Sequence, residues 1–410
     1  MTPKFVFGKE KNDWIKRPLL SNIEKILDYR GRTPKKLGLS WSDTGFLALS
    51  ALNVKNGYID FNADANYGDQ ELYNRWMGDN NLHKGQVVFT TEAPMGNVAQ
   101  IPNDALYILS QRTIAFEVKH HLIREDFLAT LLRSPKIFNE LTSLSSGGTA
   151  KGISQKSLSN LKISLPASLD EQSAIGSLFR TLDDLLASYK DNLANYQSLK
   201  TTMLSKMFPK AGRTVPEIRL DGFEGEWEVV SLGTLIENYD EIISGVSGFP
   251  IATSSRKGLY LQNDYFEGGR TGIDLTLDFH RVPMGYVTYR HMSDDSIFKF
   301  NKNNFETDVL VSKEYPVFIN NDNSDIDFLL YHLNNSRLFL RFSTMQKLGG
   351  TRVRLYYKNL ITYKLAVPTV KEQQAIGSYF SNLDNLIKSY QDKISQLETL
   401  KKKLLQDMFI

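Results

Sequence analysis

Residues 171–208 read EQSAIGSLFRTLDDLLASYKDNLANYQSLKTTMLSKMF, and residues 372–409 read EQQAIGSYFSNLDNLIKSYQDKISQLETLKKKLLQDMF. The two stretches align without a gap at an offset of 201 and share 18 of 38 positions, so the chain is a tandem duplication. Each opens on Glu-Gln and closes on Met-Phe, with no proline and no glycine beyond Gly176 or Gly377. In the first, Leu182, Tyr189, Tyr196 and Met203 recur every seven residues, interleaved with Leu185 and Leu199. In the second, Leu383, Tyr390, Leu397 and Leu404 do so, interleaved with Leu386 and Leu400. Apolar residues at that period form a seam for a partner helix, and the polar Asn192 and Lys393 interrupt it at a cost in stability that can set register. At about 1.5 Å per residue each helix spans roughly 55 Å. The simplest closure pairs the two helices antiparallel within the chain, about an approximate two-fold axis.

The similarity extends upstream of the helices. Gly147-Gly148-Thr149 matches Gly349-Gly350-Thr351, Lys156 and Pro166 match Lys358 and Pro368, and Trp14, Leu19 and Ile23 match Trp227, Leu232 and Ile236. Roughly residues 30–120 and 240–320 do not align. Each repeat is therefore a shared frame around a private middle, the pattern of one job done on two different targets. Strand-like stretches at 86–89, 113–118 and 286–289 alternate with turn signals such as Asn56-Gly57 and Glu267-Gly268-Gly269. Helices are expected after Asp126 and Asp327, with these acids as caps. The fold class that follows is α+β, with two tandem, pseudo-two-fold-related globular domains separated by two long antiparallel coiled-coil helices. The expected divisions are 1–166, 167–209, 210–368 and 369–410. The linker KAGRTVPEIRLDGFEGEW after the first helix is similar in its back half to the N-terminal TPKFVFGKEKNDW, so the element order looks circular.

The 410 residues are 41% hydrophobic and 23% charged, with a net charge of +3 and no cysteine. No cysteine means no disulfide, thiolate metal site or cysteine nucleophile. No apolar run reaches bilayer length, and the N-terminus lacks a signal-peptide pattern, so no membrane partner and a cytoplasmic location are expected. Phosphate-loop, dinucleotide-fingerprint and nucleophile-elbow motifs are missing. Charge is placed unevenly: residues 328–370 hold seven bases and no acid, and the matching stretch 127–169 holds five bases against Glu140. Basic side chains beside Gly-Gly backbone and hydroxyls suit phosphate oxygens. An enzyme reading is also open: Asp104, Glu117 and Lys119 are loosely similar to the metal-binding acids and lysine of restriction-type nucleases. A helix-dimerising adaptor without DNA specificity is another alternative.

The string GGTAKGISQKSLSNLKISLP followed by EQ-AIGSLFRTLD, repeated as GGTRVRLYYKNLITYKLAVP and EQ-AIGSYFSNLD, resembles the specificity subunit of type I restriction–modification enzymes. The linker PEIRLDGFEGEW strengthens the resemblance, which covers the whole chain. It implies a non-catalytic DNA-recognition subunit whose two target-recognition domains each read half of a bipartite site on double-stranded DNA. The helices would be the spacer that docks two methylation subunits, and two restriction (motor) subunits would complete the complex. S-adenosylmethionine, ATP and Mg²⁺ would be bound by those partners. One place departs from the family: Arg352-Val-Arg354 stands where the first repeat has Ala150-Lys151-Gly152. Within the resemblance, base-reading candidates in the private middles are Arg30, Arg32, Lys35, Lys36, Gln111 and Arg112, then Arg256, Lys257, Gln262, Asn263, Arg270 and Arg290. Candidates for phosphate contacts are Lys151, Lys156, Lys347, Arg352, Arg354 and Lys358.

Overall fold

The computed structural model describes residues 14–146, 151–265, 274–347 and 352–409. Both Gly-Gly-Thr strings, Glu267-Gly268-Gly269 and Arg270 lie outside these residues. The chain divides into two compact units, Met1–Asp191 with Gln391–Ile410, and Asn192–Tyr390, so the division falls inside both repeated helices.

Unit one runs β1 (Ile15–Pro18), β2 (Ile23–Asp28), β3 (Phe46–Leu49), β4 (Tyr67–Gly68), α1 (Gln70–Met77), β5 (Val87–Thr90), β6 (Val98–Gln100), β7 (Ile108–Leu109), β8 (Thr113–Val118), α2 (Glu125–Leu132), α3 (Pro135–Leu144), α4 (Gln155–Ser159), β9 (Lys162–Leu165) and α5 (Leu169–Lys206), the last continuing into unit two. An antiparallel sheet β2-β8-β5-β6 is flanked by the β1-β9 pair and by a second sheet, β4-β3-β7. Unit two runs β10 (Glu228–Ser231), β11 (Ile236–Tyr239), β12 (Ile242–Ser244), β13 (Ala252–Ser255), β14 (Gly258–Leu261), α6 (Gln262–Tyr265), β15 (Asp278–Val282), β16 (Val287–Tyr289), β17 (Met292–Ser293), β18 (Phe300–Lys302), β19 (Val309–Ser312), β20 (Val317–Asn320), α7 (Ile326–Asn335), α8 (Arg337–Met345), β21 (Val353–Arg354), α9 (Tyr357–Leu360), β22 (Lys364–Val367) and α10 (Val370–Met408). Its sheet β11-β20-β16-β18 and its β10-β22 pair repeat the frame of unit one, whereas β12-β15-β19 and the β13-β14 hairpin have their own arrangement. The shared frame thus extends into the middles that do not align. A buried strand needs only apolar bulk at its inward positions, so residue identity drifts while pairing persists.

The Glu-Gln and Gly of the repeated strings are explained by where each long helix begins. Gln172 is fully buried: its Oε1 accepts from Arg124 N (2.9 Å), and its Nε2 donates to Leu122 O (3.1 Å) and Pro166 O (2.9 Å). Gln373 does the same with Asp325 N, Asn323 O and Pro368 O. Gly176 lets α5 approach α2 so closely that a Cβ would lie 2.4 Å from the Cβ of Asp126, and one on Gly377 would lie 2.7 Å from Oδ1 of Asp325. The expected caps are corrected here. Asp325, not Asp327, accepts from Phe328 N, and α2 has no side-chain cap at Arg124, whose N–H is taken by Gln172.

Within each unit the helix halves run antiparallel. In unit one Lys401 pairs with Asp183, which also binds Arg133 Nη1 (2.6 Å), and Lys190 pairs with Glu398 (2.7 Å). In unit two Lys200 pairs with Asp384, which also accepts from the Tyr331 hydroxyl (2.8 Å), and Tyr196 packs on Tyr390. These are the same pair made twice, since Lys401 and Asp384 are the repeat equivalents of Lys200 and Asp183. The less exposed positions alternate by four and three residues: Leu182, Leu186, Tyr189, Leu193, Tyr196, Lys200 and Met203 in α5, with Met207 just after it, and Leu383, Ile387, Tyr390, Ile394, Leu397, Lys401, Leu404 and Met408 in α10. Leu185 (39% exposed) and Leu400 (45%) therefore lie outside the seam, and Leu186 and Lys401 take those places. The polar seam positions are Lys200 and Lys401 rather than Asn192 and Lys393. The ambiguity arises because Leu185-Leu186 and Leu386-Ile387 offer apolar residues at both adjacent positions, and Leu199 and Leu400 sit beside the true, charged ones. Leu386 and Leu199 are half-buried.

The Met-Phe ends close the cores. Phe409 packs on Trp14, Phe127 and Phe179 in unit one, and Phe208 packs on Trp227, Phe328 and Phe380 in unit two.

Candidate nucleic-acid interface

In unit one the base-reading candidates converge on one surface. β2 ends at Asp28, and Arg30 folds back so that its Nε lies 2.9 Å from both carboxylate oxygens, while its Nη1 donates to Ile153 O (3.3 Å). Gln155 adds a third contact to Asp28 (2.8 Å). Partial burial opposes the charge on Asp28, but the hydrogen bonds from Arg30 and Gln155 outweigh it and hold the carboxyl below its ordinary range. Gln111 donates to Arg32 O (3.2 Å), and the Arg32 guanidinium lies 4.5 Å over Tyr29. Arg112 adopts a left-handed backbone (φ 65°), and its Nε meets Glu92 Oε1 at 3.3 Å. Glu92 in turn bridges Gly152, next to the exposed Lys151. So Arg30, Arg32, Gln111, Arg112 and Lys151 come together through residues 92 and 151–155. Lys35 and Lys36 sit on a short helical turn beside them, with Lys36 Nζ on Gly31 O (2.7 Å), and Lys156 is exposed on α4.

Unit two builds a different surface on the same frame. The β17-β21 pairing of Met292 with Arg354 corresponds to the Glu92–Gly152 bridge. It brings Arg352 to Asp294 (Nε to Oδ1, 2.8 Å), with Arg354 exposed beside it. Arg256 forks onto Asp295 through both terminal nitrogens (2.8 and 2.6 Å). Hydrogen bonds from Ser293, Ile297 N and Arg256 overcome burial to hold the Asp295 carboxyl below its ordinary range. Arg256, Lys257, Arg290, Tyr265 and Tyr315 line one cleft of about 410 Å³. Gln262 and Asn263 lie on α6, Gln262 with a buried Oε1 that has no hydrogen-bond partner among the described residues. Lys347 and Lys358 are exposed at the end of α8 and on α9, and neither lines that cleft. Sequence reasoning missed the acids that hold the arginines, Asp28, Glu92, Asp294 and Asp295, because an acid in a loop carries no periodic signal.

Of the nuclease candidates, Glu117 accepts from Gln86 (3.0 Å), and Lys119 donates to Ser21 O (3.2 Å). Among the described residues no group of three or more His, Asp or Glu side chains is placed to hold a metal ion, and no helix is long and apolar enough to cross a membrane.

A family model described as the type I restriction modification DNA specificity domain matches residues 44–195 and 260–399. The MjaX specificity subunit of Methanocaldococcus jannaschii, named for a type I restriction enzyme, is 24% identical over 436 residues, covering 98% of this chain and 94% of that one. The MjaVIII type I specificity subunit of the same organism is 23% identical, covering 73% of this chain and 72% of its own. Among solved structures, the S subunit of a type I restriction–modification system from M. genitalium aligns with 100% of this chain and 99% of its own at a TM-score of 0.61 and 17% identity, which establishes likeness of fold.

Proposed function

The chain belongs to the type I restriction–modification DNA specificity family, and from that premise we propose that it reads a bipartite duplex site, one half through each unit, without performing chemistry itself. The observation that carries this reading is a repeated frame, with the same sheet order and the same buried Gln and Gly at each helix start, around two chemically different arginine-rich surfaces. Residues 1–166 and 210–368 act as the target-recognition domains. The helical segments 167–209 and 369–410 act as the spacer on which methylation subunits dock, with restriction subunits completing the complex. S-adenosylmethionine, ATP and Mg²⁺ are assigned to those partners.

Arg112 and Arg352, the latter expected from the sequence to contact phosphate, are each held through Nε by an acid, which leaves Nη1 and Nη2 as a fork and moves Arg352 to the base-reading group. A fork of that kind fits O6 and N7 of guanine in the major groove. Both pairs are half-exposed or more, so each is weak enough to be exchanged for a base or phosphate at little cost.

The test is co-expression with a type I methylation subunit and genome-wide mapping of adenine methylation. The expected result is a bipartite motif that changes on one side only when residues 14–165 are exchanged for those of a relative. Absence of both co-purification and methylation overturns the reading. Metal-dependent cleavage by the chain alone, lost in Glu117→Ala, would replace it with a nuclease.

A further inference from the structure

Two lysines of unit two, Lys257 and Lys299, have no ion-pair partner among the described residues, and the fold places both where two clefts meet. They line the cleft of Arg256 and Arg290, and also a second one of about 510 Å³ that contains Lys200, Lys302, Asp327 and Asp384. Lys257 occupies the two-residue turn between paired Ser255 and Gly258, and Lys299 directly precedes β18. Asn301 fixes the two segments together, its Nδ2 donating to Ser254 Oγ (2.8 Å) and Ser255 O (2.9 Å).

The charges do not balance at this junction. Lys200 is paired with Asp384 and Lys302 with Asp327 (2.9 Å), so Lys257 and Lys299 are left in excess. Lys299 is half-buried, and burial followed by the neighbouring Lys200 pushes its ammonium below the ordinary lysine range, against the pull of Asp384. A cation held this way is stabilised by an anion arriving from outside. The position before β6 in unit one is the neutral Asn97, whose Nδ2 is already bound to Val54 O (3.0 Å), so the device is private to unit two.

We propose that Lys257 and Lys299 together hold one backbone phosphate of the duplex bound by unit two, so that Lys257 positions the DNA rather than reading a base. The inference rests on the DNA-recognition reading above and adds a contact to it.

The test uses the assembled complex with methylation subunits and a labelled duplex carrying the site that the wild type methylates, titrated with KCl. Lys299→Gln should make the slope of log affinity against log salt shallower, by up to about 0.9, the value of one wholly lost phosphate contact. It should weaken the cognate duplex and one altered in the second half-site by the same factor, and Lys299→Arg should restore the slope. An unchanged slope overturns the proposal. If Lys299→Gln melts early, Lys257→Gln in the exposed turn decides it, with the same shallower slope in support and an unchanged one against. A wild-type complex that binds no bipartite duplex overturns the underlying reading and this one with it.

Discussion

His332 shows how much one buried side chain constrains a unit. It lies on α7 against Phe208, with Nε2 2.9 Å from the Tyr363 hydroxyl and Nδ1 without a hydrogen-bond partner among the described residues. Burial pushes its pKa down to about 4 from an ordinary 6.5. The unfolded chain therefore takes up a proton before the folded one does as the pH falls. Stability from this residue is fully present above about pH 6.5 and is lost as the pH drops toward 4, by about 3 kcal/mol in all. Thermal melting across that window should show unit two weakening with acid, and His332→Gln should flatten that part of the profile. An unaltered profile in the variant would remove His332 as its source.

At the scale of elements, the helix ends and the seam make separable predictions. Phe409 is 4% exposed among three aromatic rings. Phe409→Ala should cost about 3–5 kcal/mol through the cavity it leaves. Peptide-level hydrogen exchange should show the loss in unit one, while the core around Phe208 keeps its protection. On the seam, Leu185→Glu should change stability by less than about 0.5 kcal/mol. Leu186→Glu, at 6% exposure, places an unpaired charge in the interface and should cost several times more in urea unfolding. Equal effects would mean that the seam runs through Leu185 after all. The repeated Lys–Asp pair adds register to this interface, since sliding either helix by one residue would move both lysines away from their acids.

At the scale of the whole molecule, the proposed function has duplication separate what recognises from what assembles. The residues kept between repeats are those that start and end the long helices and seat them on each unit. The residues that differ are on the surfaces built by β12–β15 in one unit and by β3, β4, β7 and α1 in the other. Arg112→Ala should relax base preference in one half of the methylated motif only, and Arg352→Ala in the other half only, each by about 1–3 kcal/mol of discrimination. Sequencing of methylated sites measures both, and a change in both halves from either variant would contradict the division of labour.

The sequence by itself determined the duplication, the two long helices, the α+β class and the family, because heptad spacing and a 38-residue repeat are local and periodic. It also offered Arg30, Gln111 and Arg112 as base-reading candidates, by residue type and position alone. It could not choose between Leu185 and Leu186, since both are leucine and only the packing partner distinguishes them. Nor could it reveal that Lys200 and Lys401 occupy the seam, because a lysine is acceptable there only when an acid 184 or 218 residues away meets it. The common four-stranded frame was likewise hidden inside middles that do not align, because strand pairing is recorded in burial and hydrogen bonds rather than in residue identity. Which arginines share a surface was a tertiary decision too, made by the turns that carry Glu92, Asp294 and Asp295 toward them.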